Sequence, residues 1–295
     1  MASGRFAPSP TGRLHLGNLR TAVLAWLFAR SQGSAFLLRI EDLDTVAARP
    51  EHYESQPADL RAIGIDWDGP VVRQSERRAL HDEAIARLTD LGLTYPCYCT
   101  RREVHEAAQA PHGAPPGAYP GTCRDLTDAE RRRREAEGRR AALRLRAGDV
   151  EVTVVDRYHG SHTGIVDDLV LRRGDGTPAY NLAVVVDDAA QGIEEVVRGD
   201  DILPSTPRQA HLARLLGVRE PAWAHVPLAL GPDGERLAKR HGAVSLDDLT
   251  PEVAIGLIAE SLGLGPARRA VDLLDRFDPA ALPRTPWVVT PPLGA

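Results

Sequence analysis

Apolar and polar positions change period twice near the N-terminus. Arg5 to Ala7 has the character of a short strand and Pro8 to Gly12 of a stiff proline/glycine loop. Gly17 to Ser31 has the spacing of an amphipathic helix, and Ala35 to Ile40 (AFLLRI) is a compact apolar run that predicts a buried strand. Strand, loop, helix, strand is the opening of a βαβ unit, so a parallel sheet is expected. Helical spacing returns at 50–63 and 76–91. Tyr95 to Asp125 breaks the pattern with PHGAPPGAYPG and reads as an inserted, loop-rich module that needs an external staple. From Ala141 to Arg198 the segments ALRLR, VEVTVVD, IVDDLVLRR and PAYNLAVVVDD are all read as strands, with GDGTP at 174–178 as a hairpin turn. A helix is predicted near 204–216 and more helix from Thr250 to about Phe277, before a proline-rich tail. There is no internal repeat, no G-x-G-x-x-G fingerprint and no Walker A loop, so ordinary dinucleotide and P-loop chemistry lack support.

Composition narrows the class. With 295 residues, 43% hydrophobic, 26% charged and 5% aromatic, the chain reads as a soluble globular protein of one large domain or two modest ones. The apolar stretch Thr21 to Ala29, bracketed by Arg20 and Arg30, falls short of the ~18 residues of a membrane span, and no signal-peptide pattern precedes it. A cytoplasmic protein away from membranes is expected. The net charge of −5 argues against an all-over nucleic-acid coat and leaves room for a local basic face. One candidate lies between Asp128 and Arg146: Arg131 to Arg134, Arg139, Arg140, Arg144 and Arg146, partly offset by Glu130, Glu135 and Glu137. It is either a solvated helix face or a surface for phosphates.

Candidate chemistry sits in three places. RFAPSPTGRLHLGN, Arg5 to Asn18, feeds a strand through a proline-stiffened loop into a helix start, where free backbone N–H groups, Gly17 and His15 suit an anion; the bland alternative is a surface loop. GERLAKRHGAVSL, Gly234 to Leu246, carries Arg236, Lys239 and Arg240. Of 36 basic residues, Lys239 is the one lysine, and a compact ammonium differs from a guanidinium most in a confined phosphate pocket. Cys97, Cys99 and Cys123, an odd number in one short segment, favour a metal cluster or reduced thiols over a disulfide framework.

PSPTGRLHLGN resembles the HIGH signature of class I aminoacyl-tRNA synthetases, and RLAKR resembles their KMSKS signature. More closely, RFAPSPTG, LLRIEDLD, STPRQ and LAKRHGAVSL are similar to glutamyl-tRNA synthetases, in that order from residue 5 to about 246. Asn18 stands in place of the signature's second histidine, as is usual in the glutamyl branch. Ala238 replaces the serine before the lysine, so no hydroxyl contact is carried over there. Too little chain follows the LAKRHG loop for the helical anticodon-binding region of that family. This and the tail RFDPAALPRTPWVV are similar to the glutamyl-Q tRNA(Asp) synthetases, which adenylate glutamate and attach it to queuosine in the anticodon of tRNA(Asp).

The resemblance implies an α/β fold: a Rossmann-like doubly wound parallel sheet of class I synthetase type with an inserted zinc-bearing module and a short C-terminal helical region. Residues 1–92 would form the first half of the nucleotide-binding domain and 93–198 the zinc-bearing, acceptor-type insert with a return to the sheet. Residues 199–246 would complete the nucleotide-binding domain with the LAKRH loop, and 247–295 would be short and helical, without an anticodon-binding domain. It further implies ATP with Mg2+, L-glutamate and tRNA(Asp) carrying queuosine as partners of a monomer. Arg5 and Arg198 would fork the substrate's carboxylates, Glu41 would pair with its amino group, and Ser9 and Tyr180 would add hydrogen bonds. His15, Gly17, Asn18, Arg236, Lys239 and Arg240 would bind ATP, with His15 and Lys239 stabilising charge in catalysis. Cys97, Cys99, Tyr119 and Cys123 would hold one structural Zn2+, although His112 is chemically the more usual fourth ligand. On residue type alone Glu41 and Asp42 read as an exposed turn. Two other activities stay open: a truncated glutamyl-tRNA synthetase charging a 3′ end, and a non-catalytic tRNA-binding paralogue.

Overall fold

A computed structural model describes residues 3–100, 102–104, 119–235, 237 and 244–289. His112, Arg236, Ala238, Lys239 and Arg240 lie outside the described residues.

The chain opens with β1 (Ser3–Phe6), α1 (Leu16–Ser31) and β2 (Ala35–Ile40), followed by α2 (His52–Ala62), β3 (Val72–Arg73) and α3 (Arg78–Asp90). β1, β2 and β3 pair in parallel in that order. The second half supplies β9 (Glu195–Gly199), α6 (Thr206–Leu215) and β10 (Ala222–Val226), with β9 and β10 also parallel. β1 lies beside β9, where Glu194 N–H donates to the Ser3 carbonyl at 2.9 Å and the Ser3 hydroxyl donates to the Gly192 carbonyl. The strand order across both halves is therefore 3-2-1-9-10, a doubly wound sheet whose order reverses between β1 and β9. In such sheets ligands bind outside the carboxyl ends of the strands at that reversal.

α1 is buried on nearly every face rather than along one stripe. The sheet covers one side, and α7 (Pro251–Ser261) and the 3-10 turn Ala270–Arg276 cover the other. Phe277 packs edge-on against Phe28, ring centroids 5.3 Å apart. Among the described residues no helix is long and apolar enough to cross a membrane.

The insert carries a small antiparallel sheet, β4 (Thr94–Cys97), β5 (Ala142–Leu145) and β8 (Val170–Arg172). The hairpin of β6 (Val150–Asp156) and β7 (Gly160–Val166) instead joins the main sheet beside β10 through Trp223 and Asp156. α4 (Asp128–Ala136) holds Arg131 to Arg134, is capped by Thr127 and Glu130, and buries no residue, so these four arginines lie on a solvated face, whereas Arg144 lies on β5 and is buried over the Tyr119 ring.

Four expectations need correction. PAYNLAVVVDD is not a strand; Tyr180–Ala190 is helix α5, buried from Leu182 to Val185 and again at Asp187 and Asp188. A short apolar run enclosed on all sides has no period by which to tell a buried helix from a buried strand, and packing overrode the β-branched preference. IVDDLVLRR is split between β7 and β8 in different sheets, because Asp167 and Asp168 turn inward to bind neighbouring segments. The GDGTP turn forms, with Arg173 N–H donating to the Thr177 carbonyl at 2.8 Å, but it leads from β8 into α5 rather than between two strands. The helix expected from Thr250 to Phe277 ends at Ser261. The tail also adds β12 (Trp287–Val288), parallel to β11 (Ala229–Leu230).

Candidate active site

A cleft of about 480 Å³ opens at the reversal of strand order. Arg5 from β1, Ser9 and His15 from the loop after it, Gly17 and Asn18 from the start of α1, Glu41 after β2, Tyr180 from α5 and Arg198 from β9 all line it. Every described residue that the sequence nominated for glutamate or ATP thus meets in one place.

The helix start is built by a reciprocal cap. Asn18 N–H donates to His15 Nδ1 at 3.3 Å, and His15 N–H donates to Asn18 Oδ1 at 3.2 Å, so HLGN is a capping box in which imidazole replaces the usual hydroxyl. A Cβ on Gly17 would come within 3.1 Å of both the His15 ring and the Ala229 Cβ, so the glycine is needed for the imidazole to lie back against the first turn. From α2, Gln56 Nε2 holds the loop by donating to the carbonyls of Ser9 (3.0 Å) and Gly12 (2.8 Å).

The floor is charged. Arg5 donates to both oxygens of Asp188, at 3.2 and 3.3 Å. Arg39 donates to Asp188 Oδ1 at 2.7 Å, to Gln191 Oε1 at 2.8 Å and to Glu41 Oε1 at 3.1 Å. Burial would raise the Asp188 pKa, but Arg5 and Arg39 outweigh it and hold the carboxyl below its ordinary value. For Glu41 burial wins over Arg39 and Arg5 and the pKa goes up. Its neighbour Asp42 is no exposed turn: it is buried and accepts from Ser75 N–H and Oγ–H, both at 2.7 Å, and from Tyr53 O–H at 2.9 Å.

Arg198 differs from the other two arginines because its neighbours are neutral. Nε donates to His225 Nε2 at 2.9 Å, Nη1 to Gln209 Oε1 at 2.7 Å and Nη2 to Thr206 Oγ1 at 2.9 Å. Burial lowers its pKa. Arg5, Glu41 and Arg198 line the cleft with Arg39 and Asp188 buried behind them, and in this set three guanidinium groups against two carboxylates leave one positive charge over. An amino acid with two carboxylates and one ammonium would neutralise it.

Cys97 on β4, with Cys99 and Cys123, gathers its Sγ within 4.8 Å of the other two, and Cys99 and Cys123 are 3.5 Å apart. The Tyr119 hydroxyl lies 3.3 Å from Cys97 Sγ and 3.8 Å from Cys99 Sγ, accepts from Cys123 N–H at 2.8 Å, and its ring is covered by the Arg144 guanidinium at 3.6 Å. Hydrogen bonds from Cys123 and Cys99 push the Cys97 pKa down. Metal–sulfur bonds of 2.3 Å at tetrahedral angles need edges of roughly 3.8 Å, and the Cys99–Cys123 and Tyr119 distances fall near that while the sulfurs all lie within 4.8 Å, an arrangement compatible with one small tetrahedral ion.

Sequence reading missed Arg39, Asp156, Asp188 and His225. A signal existed for Asp156: in VEVTVVD the inward positions are Val152, Val154 and Asp156, so strict alternation puts a carboxylate in the core. Asp188 ended an apolar run misread as a strand, and the pairing of Arg198 with His225 needs the parallel register of β9 on β10.

Residues 2–252 match the family model for tRNA synthetases class I (E and Q), catalytic domain. A glutamyl-Q tRNA(Asp) synthetase from Nocardia farcinica is 65% identical, over 98% of this chain and 93% of the relative. One from Symbiobacterium thermophilum is 49% identical, over 97% and 95%. Among solved structures, a glutamate tRNA ligase from Elizabethkingia meningosepticum, crystallised in complex with its amino acid, superposes with a TM-score of 0.83 at 28% identity, over 98% of this chain and 67% of that one. The chain belongs to the glutamate and glutamine branch of the class I tRNA synthetases, in the group of the glutamyl-Q tRNA(Asp) synthetases.

Proposed function

We propose that this protein activates L-glutamate with ATP and transfers it to the queuosine base in the anticodon of tRNA(Asp). The observation that carries the reading is the cleft's unbalanced guanidinium, Arg198, beside Arg5 and Glu41 at the end of the signature loop. Arg5 and Arg198 take the two carboxylates of glutamate, and the free edge of Glu41 takes its ammonium. Ser9 and Tyr180 supply directional hydrogen bonds from the cleft wall. The glutamate α-carboxylate then attacks the ATP α-phosphate in line and pyrophosphate leaves. The reaction depends on positioning and charge stabilisation more than on covalent protein chemistry. His15 and the N-terminus of α1, with Gly17 and Asn18, receive phosphate oxygens. Arg236, Lys239 and Arg240 are assigned to the polyphosphate from sequence, and Mg2+ accompanies ATP. A queuosine hydroxyl then attacks the mixed anhydride, and AMP leaves.

Zn2+ is assigned to Cys97, Cys99, Cys123 and Tyr119 as a closed site, which staples the insert and keeps no position open for chemistry. Tyr119 is preferred to His112 because its hydroxyl already stands among the sulfurs. The division into residues 1–92, 93–198, 199–246 and 247–295 is retained as the working domain scheme, and a cytoplasmic monomer as the working state.

The test has two stages. Glutamate-dependent ATP–pyrophosphate exchange is expected. Labelled glutamate should pass to tRNA(Asp) containing queuosine and not to the unmodified transcript, with periodate pretreatment blocking transfer by destroying the vicinal diol. Efficient charging of unmodified tRNA(Glu) at its 3′ end would overturn the reading.

A further inference from the structure

His225 is fully buried on β10 and faces Arg198 in the parallel register of β9. Its Nδ1 lies 2.7 Å from Asp156 Oδ2, and the same oxygen accepts the His225 backbone N–H at 3.0 Å. Asp156 is itself buried, and its other oxygen accepts from Tyr158 N–H and His159 N–H at 2.9 and 3.0 Å. A carboxylate on Nδ1 selects the tautomer with its proton there, leaving Nε2 with a lone pair. That lone pair receives Arg198 Nε–H. Burial, ahead of the neighbouring Arg198 charge, keeps the His225 pKa below its ordinary value, so the imidazole is neutral.

We infer that His225, Thr206 and Gln209 form a neutral cradle that orients Arg198 toward glutamate while leaving its positive charge for the substrate, with His225, itself fixed by the Asp156 carboxylate behind it, as the principal positioning residue. The contrast with Arg5 supports this. Arg5 is tied to Asp188 by two bonds and shares that carboxylate with Arg39, whereas Arg198 is held by three neutral acceptors, Thr206 and Gln209 being as buried as the histidine. A carboxylate in any of the three places would orient the guanidinium equally well and compete with the ligand.

The inference rests on the assignment of Arg198 to glutamate, and the variants separate the two. In ATP–pyrophosphate exchange, with glutamate Kd measured by calorimetry, His225→Asn keeps a donor toward Asp156 but loses the acceptor at Nε2. Glutamate KM should rise about ten-fold or more, with ATP KM and kcat little changed. His225→Gln, whose amide oxygen reaches the Nε2 position, should restore most of the loss. Gln209→Glu gives Arg198 a charged partner of equal size, with Asn181 turning its amide to donate where Gln209 Nε2 now donates to it at 3.0 Å, and should also weaken glutamate binding. Wild-type glutamate affinity in Gln209→Glu, or equal impairment of the two His225 variants, overturns the cradle. If His225→Asn fails to fold, Gln209→Glu decides. Arg198→Ala with unchanged glutamate KM would instead overturn the assignment of Arg198 itself.

Discussion

Asp188 illustrates how much of this site depends on residues that never line it with a reactive atom. Its carboxylate fixes Arg5 and Arg39, and Arg39 in turn fixes Glu41, so one buried acid sets the positions of three charged groups. Asp188→Asn is isosteric but leaves two buried cations short of a partner, and a loss of about 3–5 kcal/mol in urea unfolding is expected. Because the folded pKa of Asp188 is held below the unfolded value of about 3.9, the unfolded chain binds the extra proton, and the stabilisation is fully present above that value, falls below it and is lost as pH passes through the lower folded pKa. The gap between wild type and Asp188→Asn should therefore be widest near neutrality and shrink below pH about 4. A gap independent of pH would mean that the carboxylate's charge contributes nothing. That Arg5, Ser9, His15 and Glu41 would meet in one cleft was legible because each sits in a family motif, whereas Tyr180 and Arg198 lie outside the quoted motifs and came only from the resemblance as a whole. The residues that hold them were not, since they are dictated by register and burial, which a single chain reveals only where alternation is strict, as at Asp156.

Elements were legible where one period ran undisturbed between clear stops. β2 was expected at Ala35–Ile40 and is found there, and α1 begins one residue before its predicted start because His15, not a hydroxyl residue, is the cap. The insert was legible as a module that lacks a core of its own. Among the described residues its apolar cluster comprises little more than Tyr95, Cys97, Tyr98, Tyr119 and Cys123, three of which would supply ligands to the proposed ion. About 25 cal/mol per Å2 of apolar burial over so few residues is small beside the entropy of ordering the surrounding loops, so an ion held at the proposed site would contribute folding energy. One equivalent of zinc should co-purify under reducing conditions. Its removal by chelator should increase protease cleavage within 93–146 ahead of the sheet strands β1, β2, β9 and β10. Metal-free protein, never exposed to chelator, with an equally resistant insert would refute the staple.

At the scale of the molecule, the doubly wound sheet brings together segments more than two hundred positions apart in the chain. Leu16 N–H donates to the Val244 carbonyl at 2.8 Å, His15 bridges Ser245, and Arg13 reaches Asp247 at 2.6 Å and Asp59 at 3.2 Å. The segment that follows the LAKRHG motif is thus tied to the loop that presents His15, and these ties place residues 244–248 beside the helix start proposed to receive phosphate. The Asp247 side chain is 63% exposed, so the Arg13 pair adds at most about 1 kcal/mol to stability, and its larger effect falls on where residues 244–248 rest. Asp247→Ala should leave unfolding nearly unchanged and glutamate KM unaffected, while ATP KM rises about three- to ten-fold, the equivalent of roughly 1 kcal/mol of lost positioning. Arg13→Ala should act in the same direction and also destabilise, because Asp59, whose pKa is already raised to about 6 by burial, would lose its only cationic partner among the described residues. If glutamate KM rose in step with ATP KM in Asp247→Ala, the tie would be organising the whole cleft rather than the nucleotide end of it, and the separation of the two substrates' supports would fail.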